Sequence, residues 1–208
     1  MAAESPDAPW QVLTRHGRRL VKTPDWEFQV DYNLFSFEHI TSNPFFKIFK
    51  AGNYEKTIVD ASAGLGRDSY LIHQLGHRVH SIEINPTLFE LMHDGKSALG
   101  ENPDWELHQG SCEDILHTLD QINIIYFDPM FEHPKKAKAQ KYTQVIQHYC
   151  MTDHAQNGLI IDFLIGFARE NHLKLVIKQP QKRSSLTIPK PHHRIPSGKF
   201  CEFWIYQF

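Results

Sequence analysis

Three short stretches of this 208-residue chain carry side chains that could do chemistry together. The first is Asp60-Ala-Ser-Ala-Gly64-Leu-Gly66-Arg67-Asp68. Glycines so spaced let the backbone turn tightly and let a ligand approach with no Cβ in the way. The second is Glu83, nineteen positions beyond Gly64 (83 − 64). A carboxylate there, at the end of the next strand, accepts hydrogen bonds from both hydroxyls of a ribose. The pair describes a nucleoside-binding crevice. The third stretch, Asp128-Pro129-Met130-Phe131, closes the apolar run 122–127. A carboxylate beside such a crevice can accept the protons of an exocyclic amine and aim its lone pair. Pro129 offers no N–H and so exposes nearby carbonyls, and Phe131 can stack on a flat base. An Asp-Pro pair alone would be only a turn.

The cofactor follows from details of the first loop. A dinucleotide fingerprint, G-x-G-x-x-G, would need glycine where Ser69 stands. S-adenosylmethionine carries an amino acid in place of phosphates. Asp60 supplies an acid at the strand end, and Arg67 and Asp68 suit a carboxylate and an ammonium. Asp68 would equally suit the first turn of a helix, where the dipole favours negative charge. Asn85-Pro86 reads as a helix cap followed by proline at the first helical position. Ser111 and Asp114 can form a capping box at the turn where an adenine would lie, which makes Ser111 and Cys112 candidate cofactor contacts.

These residues need a frame. From Lys56 onward, β-branched runs at 57–59, 78–84, 105–108, 122–127, 173–177 and 203–206 alternate with helical stretches at 68–75, 86–99, 112–119, 142–149 and 159–171. Such alternation implies a mostly parallel sheet with helices on both faces. Residues 1–30 read as a tail or small β appendage. Asn43-Pro44 opens a short apolar helix with Phe45, Phe46, Ile48 and Phe49. The division expected is an N-terminal extension with a capping helix over 1–52 and the catalytic domain over 53–208.

Composition narrows the class. Hydrophobic residues make up 41% of the chain, too many for disorder. Cys112, Cys150 and Cys201 are scattered, which excludes a disulfide framework and fits a reducing cytosol. The start lacks a signal-peptide pattern, and no apolar run is long enough to cross a bilayer, so a cytoplasmic location is expected. The fourteen histidines show no H-E-x-x-H or similar spacing, and no metal is expected. The formal net charge is −2, yet eleven cations crowd two acid-free segments. Lys135, Lys136, Lys138 and Lys141 lie in the first. Lys174, Lys178, Lys182, Arg183, Lys190, Arg194 and Lys199 lie in the second. Both flank the Asp128 motif, which points to a phosphate-rich substrate.

Val59-Asp-Ala-Ser-Ala-Gly-Leu-Gly-Arg-Asp68, Asp128-Pro-Met-Phe-Glu-His133 with its lysines, and Leu175-Val-Ile-Lys-Gln-Pro180 together resemble the RsmJ family of bacterial 16S ribosomal RNA guanine-N2 methyltransferases. The resemblance runs from about Lys56 to Tyr206. It implies a Rossmann-like class I methyltransferase fold with an antiparallel C-terminal edge strand, S-adenosylmethionine as cofactor, and ribosomal RNA or the small ribosomal subunit as partner. It also implies that Arg67, Asp68, Glu83, Ile84, Ser111, Cys112 and Asp128 are cofactor contacts. Residues 31–39 depart from the Gly- and Arg-rich segment of that family. Other readings are an amine methyltransferase on another RNA or on DNA, an NAD-linked oxidoreductase, and a non-catalytic RNA-binding module.

Overall fold

Strands that are apolar along their whole length can be buried on both faces, and that places them mid-sheet. The computed structural model describes residues 10–35, 44–50, 54–130, 140–150, 154–181, 188–198 and 200–208. Its N-terminal part holds β1 (Gln11–Arg15), β2 (Arg18–Lys22), β3 (Glu27–Phe28) and α1 (Pro44–Phe49). The alternating part follows as β4 (Thr57–Asp60), α2 (Arg67–Gln74), β5 (Arg78–Glu83), α3 (Pro86–Ser97), β6 (Trp105–Gln109), α4 (Cys112–Leu116) and β7 (Ile124–Phe127). Then come α5 (Lys141–Tyr149), α6 (His154–Glu170), β8 (Lys174–Pro180), β9 (His193–Ser197) and β10 (Cys201–Gln207).

The large sheet runs β6-β5-β4-β7-β8-β10-β9. β4 through β8 pair in parallel, and β10 is antiparallel to both of its neighbours. The chain winds outward from β4 to β5 and β6, then returns to lay β7 on the other side of β4. That reversal opens a crevice at the carboxyl ends of β4 and β7, where open α/β sheets bind ligands. The C-terminal strand is antiparallel as expected but does not form the edge; β9 does. His193-Arg-Ile-Pro-Ser197 hardly reads as a strand, and its Pro196 is tolerated because an edge strand has a side with no ladder to complete. Helix α6 begins at His154, five residues before the expected 159.

β1, β2 and β3 form a separate antiparallel sheet. One apolar core nevertheless joins Val21, Val30 and Tyr32 to Ile58, Leu88 and Trp105. The Tyr32 hydroxyl donates to the Leu65 carbonyl at 2.8 Å, tying this segment to the glycine loop. Arg19 pairs with Glu90 and Asp94 on α3 at 2.8 and 2.9 Å. Trp10 stacks on His148 of α5 with ring centroids 4.2 Å apart, and Lys141 lies over Trp26. The small sheet thus packs against the base of α3 and the flank of α5. Among the described residues, no helix is long and apolar enough to cross a membrane.

Candidate active site

The crevice is a cavity of about 790 Å³, within the usual range for small-molecule sites. The ends of β4, β5 and β7 form its floor, and α5 and α6 wall it with Tyr142, Ile146, Asn157 and Ile160. Asp60, Gly64, Arg67, Asp68, Glu83, Ile84, Ser111, Cys112, Asp128 and Pro129 all line it. Gly66 does not. A Cβ on Gly66 would meet the Tyr32 hydroxyl at 2.6 Å and Met92 at 2.9 Å. This glycine therefore makes room for the core beneath the loop, not for a ligand above it. Its φ of +72° also sets the start of α2. Phe131 lies outside the described residues, as do Lys135, Lys136, Lys138, Lys182, Arg183 and Lys199.

Each acid along the floor is held by named donors. Asp60 is buried; it accepts from the Ser69 hydroxyl at 2.6 Å and the Ser62 N–H at 3.2 Å, and so braces the loop. Burial pushes its carboxyl up to about 7, with Asp68 and Asp128 adding repulsion against the lowering effect of those hydrogen bonds. Glu83 accepts from the Gly64 N–H at 2.6 Å and the Asn85 N–H at 2.7 Å, pinning the glycine loop to β5. Asp68 takes a hydrogen bond from the Tyr126 hydroxyl at 2.7 Å. Burial, with Asp128, Asp68 and Asp60 around it, drives the Tyr126 phenol well up, so it stays a donor. The Arg67 guanidinium spreads over the rings of Phe35 and Tyr142.

Asn85 caps α3, accepting from the Thr87 and Leu88 N–H groups, and donates to the Tyr149 carbonyl at 2.9 Å. The one side chain thus starts α3 and anchors the end of α5 above the cavity. Ser111 caps α4 by accepting from the Asp114 N–H, in keeping with its spacing.

At the far end of the floor, the Asp128 N–H donates to Ser62 Oγ at 2.8 Å. Its carboxylate receives Lys178 Nζ at 2.6 Å. Burial alone would lower the lysine, but the carboxylates of Asp128 and Asp68 outweigh it and hold Lys178 above the ordinary lysine value. Charge distribution along the chain groups Lys178 with the substrate-facing cations. The fold makes it an internal partner instead, and Lys174 likewise turns inward to the Ile48 carbonyl at 3.3 Å. A signal for Lys178 exists in the sequence: one charge near the end of a run as apolar as Leu175-Val-Ile must find a counter-charge. Tyr126, Tyr142 and Asn157 give no comparable sign. Among the described residues, five acids line the cavity (Asp60, Asp68, Glu83, Glu113 and Asp128), two of them with carboxyls raised to about 7, against two cations, Arg67 and Lys178. Such a balance suits a cationic ligand and opposes a phosphorylated one.

Comparison with known proteins agrees with this chemistry. Residues 37–208 match a family model described as "Putative SAM-dependent methyltransferase". The ribosomal RNA small subunit methyltransferase J of Thioalkalivibrio sulfidiphilus is 28% identical over 99% of this chain and 88% of its own length. The protein of the same name from Shewanella amazonensis is 33% identical over 69% of this chain and 60% of its own. Several further relatives of that name are matched over 55% to 64% of their length. Among solved structures, a SAM-dependent methyltransferase from Neisseria gonorrhoeae superposes with a TM-score of 0.67 at 24% identity, covering 99% of this chain and 85% of that one. An RNA methyltransferase from Salinibacter ruber, in complex with S-adenosylhomocysteine, gives 0.50 at 11% identity over 84% of this chain and 93% of that one. These two likenesses concern the fold.

Proposed function

The chain belongs to the SAM-dependent methyltransferase family, and on that premise we propose that it methylates the N2 exocyclic amine of a guanosine in small-subunit ribosomal RNA. The names of its curated relatives support the RNA class. The observation that carries the chemistry is Asp128, set on the cavity floor with its backbone fixed by Ser62 and its carboxylate by Lys178. The cavity fits S-adenosylmethionine by its excess of carboxylates and by the Gly64 cradle, which takes a φ of +57° and is pinned by Glu83. Glu83 would hold the ribose. Ile84, Ser111 and Cys112 would border the adenine. Asp60, Arg67 and Asp68 would frame the amino-acid end.

S-adenosylmethionine supplies an electrophilic methyl group on a sulfonium. The protein's task is to present a nitrogen lone pair to it. Asp128 accepts an N–H of the amine and fixes its direction, which is a positioning and charge-stabilising effect. Lys178 holds that carboxylate in one place through their ion pair. The proton shed by the methylated nitrogen leaves along the same hydrogen bond towards solvent. Pro129 lines the cavity without an N–H to compete, and Phe131 would stack on the base. Residues 53–208 carry the catalytic groups, with residues before them bracing α3 and α5. A ribosomal substrate implies a cytoplasmic location.

The test is single-turnover methylation of small ribosomal subunits, alongside large subunits, transfer RNA and DNA, with melting curves as the folding control. Asp128→Ala should slow transfer by roughly 100-fold or more, a far larger effect than on S-adenosylhomocysteine affinity, to which Asp128 is one contact among several. Lys178→Met should slow it by about tenfold, with Lys178→Arg recovering part. A folded Asp128→Ala protein working at the wild-type rate would remove the catalytic assignment. Preference for DNA or transfer RNA would replace the substrate.

A further inference from the structure

The paired strands β5 and β6 bring together three side chains that the methyl-transfer reading does not use. Residues two apart on a strand share a face. Glu106 and His108 therefore project together from β6, and the register sets His80 of β5 directly across from Glu106. His80 Nδ1 lies 3.0 Å from His108 Nε2 and 3.9 Å from a Glu106 carboxylate oxygen. One ligand atom from each of the three falls within 4.8 Å of the others. His80 is buried, and Glu106 is half exposed at the open edge of the sheet. Arg78, the cation nearest along the strand, has Asp104 as its own partner at 3.7 Å, and Lys96 of α3 is the cation that Glu106 faces.

We propose that His80, Glu106 and His108 form a binding site for a zinc-class divalent cation. Two imidazoles and one carboxylate are a donor set that zinc takes readily, with the fourth position left to water. Tetrahedral ligands at about 2.0–2.1 Å from the metal stand roughly 3.3 Å apart. The imidazole pair must open by a few tenths of an ångström, and the solvent-facing Glu106 must close from 3.9 Å on His80 and from within 4.8 Å on His108. A hydrogen bond between two neutral imidazoles accounts for the 3.0 Å approach, but not for the carboxylate converging on the same point. Sequence spacing hides the site because its ligands lie on neighbouring strands, not one helical turn apart. A bound ion would clamp the edge strand β6 to β5, just before the Gly110-Ser111-Cys112 turn that borders the cavity.

The experiment uses the full chain stripped with a chelator, then titrated with Zn²⁺ against a chromophoric competitor and with Co²⁺ read by visible absorption. The expected result is one equivalent bound, a four-coordinate cobalt spectrum, and a Zn²⁺-dependent rise in melting temperature. His108→Gln can keep a hydrogen bond to His80, so the fold should survive. It should weaken Zn²⁺ binding at least tenfold and abolish both the cobalt spectrum and the melting shift. Glu106→Gln should weaken binding to a lesser degree. Absence of saturable one-to-one binding would overturn the proposal. So would equal affinity in His108→Gln, since the chain's fourteen histidines offer adventitious sites.

Discussion

Burial pushes the Glu83 carboxyl up to about 7, against the backbone N–H groups of Asn85, Gly64 and Ile84, which pull it down. Between its ordinary value and 7 the folded protein binds a proton that the unfolded chain has released. This group's contribution to stability is therefore full below the ordinary carboxyl value and is lost as pH rises through 7, by up to about 3 kcal/mol. Asp60 behaves in the same direction. Ribose hydroxyls are donors and favour the ionised carboxylate, so ligand binding runs opposite to stability. S-adenosylhomocysteine affinity should rise from pH 6 to pH 8, and Glu83→Gln should flatten that rise. Over the same range the melting temperature of Glu83→Gln should gain on the wild type. Calorimetric titration and thermal melts at four pH values read both effects. A wild-type affinity that does not change with pH would take Glu83 out of the ribose site.

Elements meet where glycines leave space. Gly95 of α3 faces the segment after β3: a Cβ there would lie 2.5 Å from a Val30 methyl and 2.9 Å from the Tyr32 ring. Gly66 is under the same ring system and also takes a positive φ. Gly76, at φ +84°, has nothing within 4 Å. Gly95→Ala should therefore cost about 1–3 kcal/mol by overpacking. Gly66→Ala should cost more, because clash and left-handed strain add. Gly76→Ala should show the strain alone, about 1–2 kcal/mol. Urea unfolding ranks the three. If Gly95→Ala proved as mild as Gly76→Ala, the Val30–Tyr32 segment would not dock on α3 as closely as these distances imply. Loss of S-adenosylhomocysteine binding in Gly66→Ala should follow its loss of fold, because its side-chain position faces the core.

For the molecule as a whole, the active cavity is lined mostly by acids and the net charge is −2, so the RNA substrate proposed above would have to be met by cations outside the cavity. Lys174 and Lys178 are engaged internally, and Arg194 lies over Trp204 with its centre 4.5 Å from the ring. Lys141 lies over Trp26, and Lys190 is exposed. The candidate groups are Lys135, Lys136 and Lys138, and Lys182 and Arg183, all outside the described residues. Neutralising either group should weaken ribosomal RNA binding without changing cofactor affinity. On single strands, the log–log salt dependence should flatten by about 0.7 for each phosphate left without its cation. Salt titrations of binding that keep the wild-type slope in both variants would show these charges to be a solvated face.

Alternation of apolar runs with helical stretches, the glycine turn after β4, the acid ending β5 and the Asp128 motif after β7 are all legible in the sequence. Each is a local pattern, set by backbone preference and by burial of a strand between two layers. Class and crevice follow from them, because a parallel sheet that reverses its winding has its ligand site at the reversal. Other features depend on which strands become neighbours. Lys178 reaches Asp128 across fifty residues because β7 and β8 lie side by side. Trp10 reaches His148 because a separate small sheet closes on α5, and β9 forms the edge because β10 pairs inward. The His80, Glu106 and His108 cluster depends on one register between β5 and β6, in which a slip of one residue would turn a ligand to the other face. Local propensity says what each segment becomes; pairing between distant segments, decided by the closing of the common core, says which side chains meet.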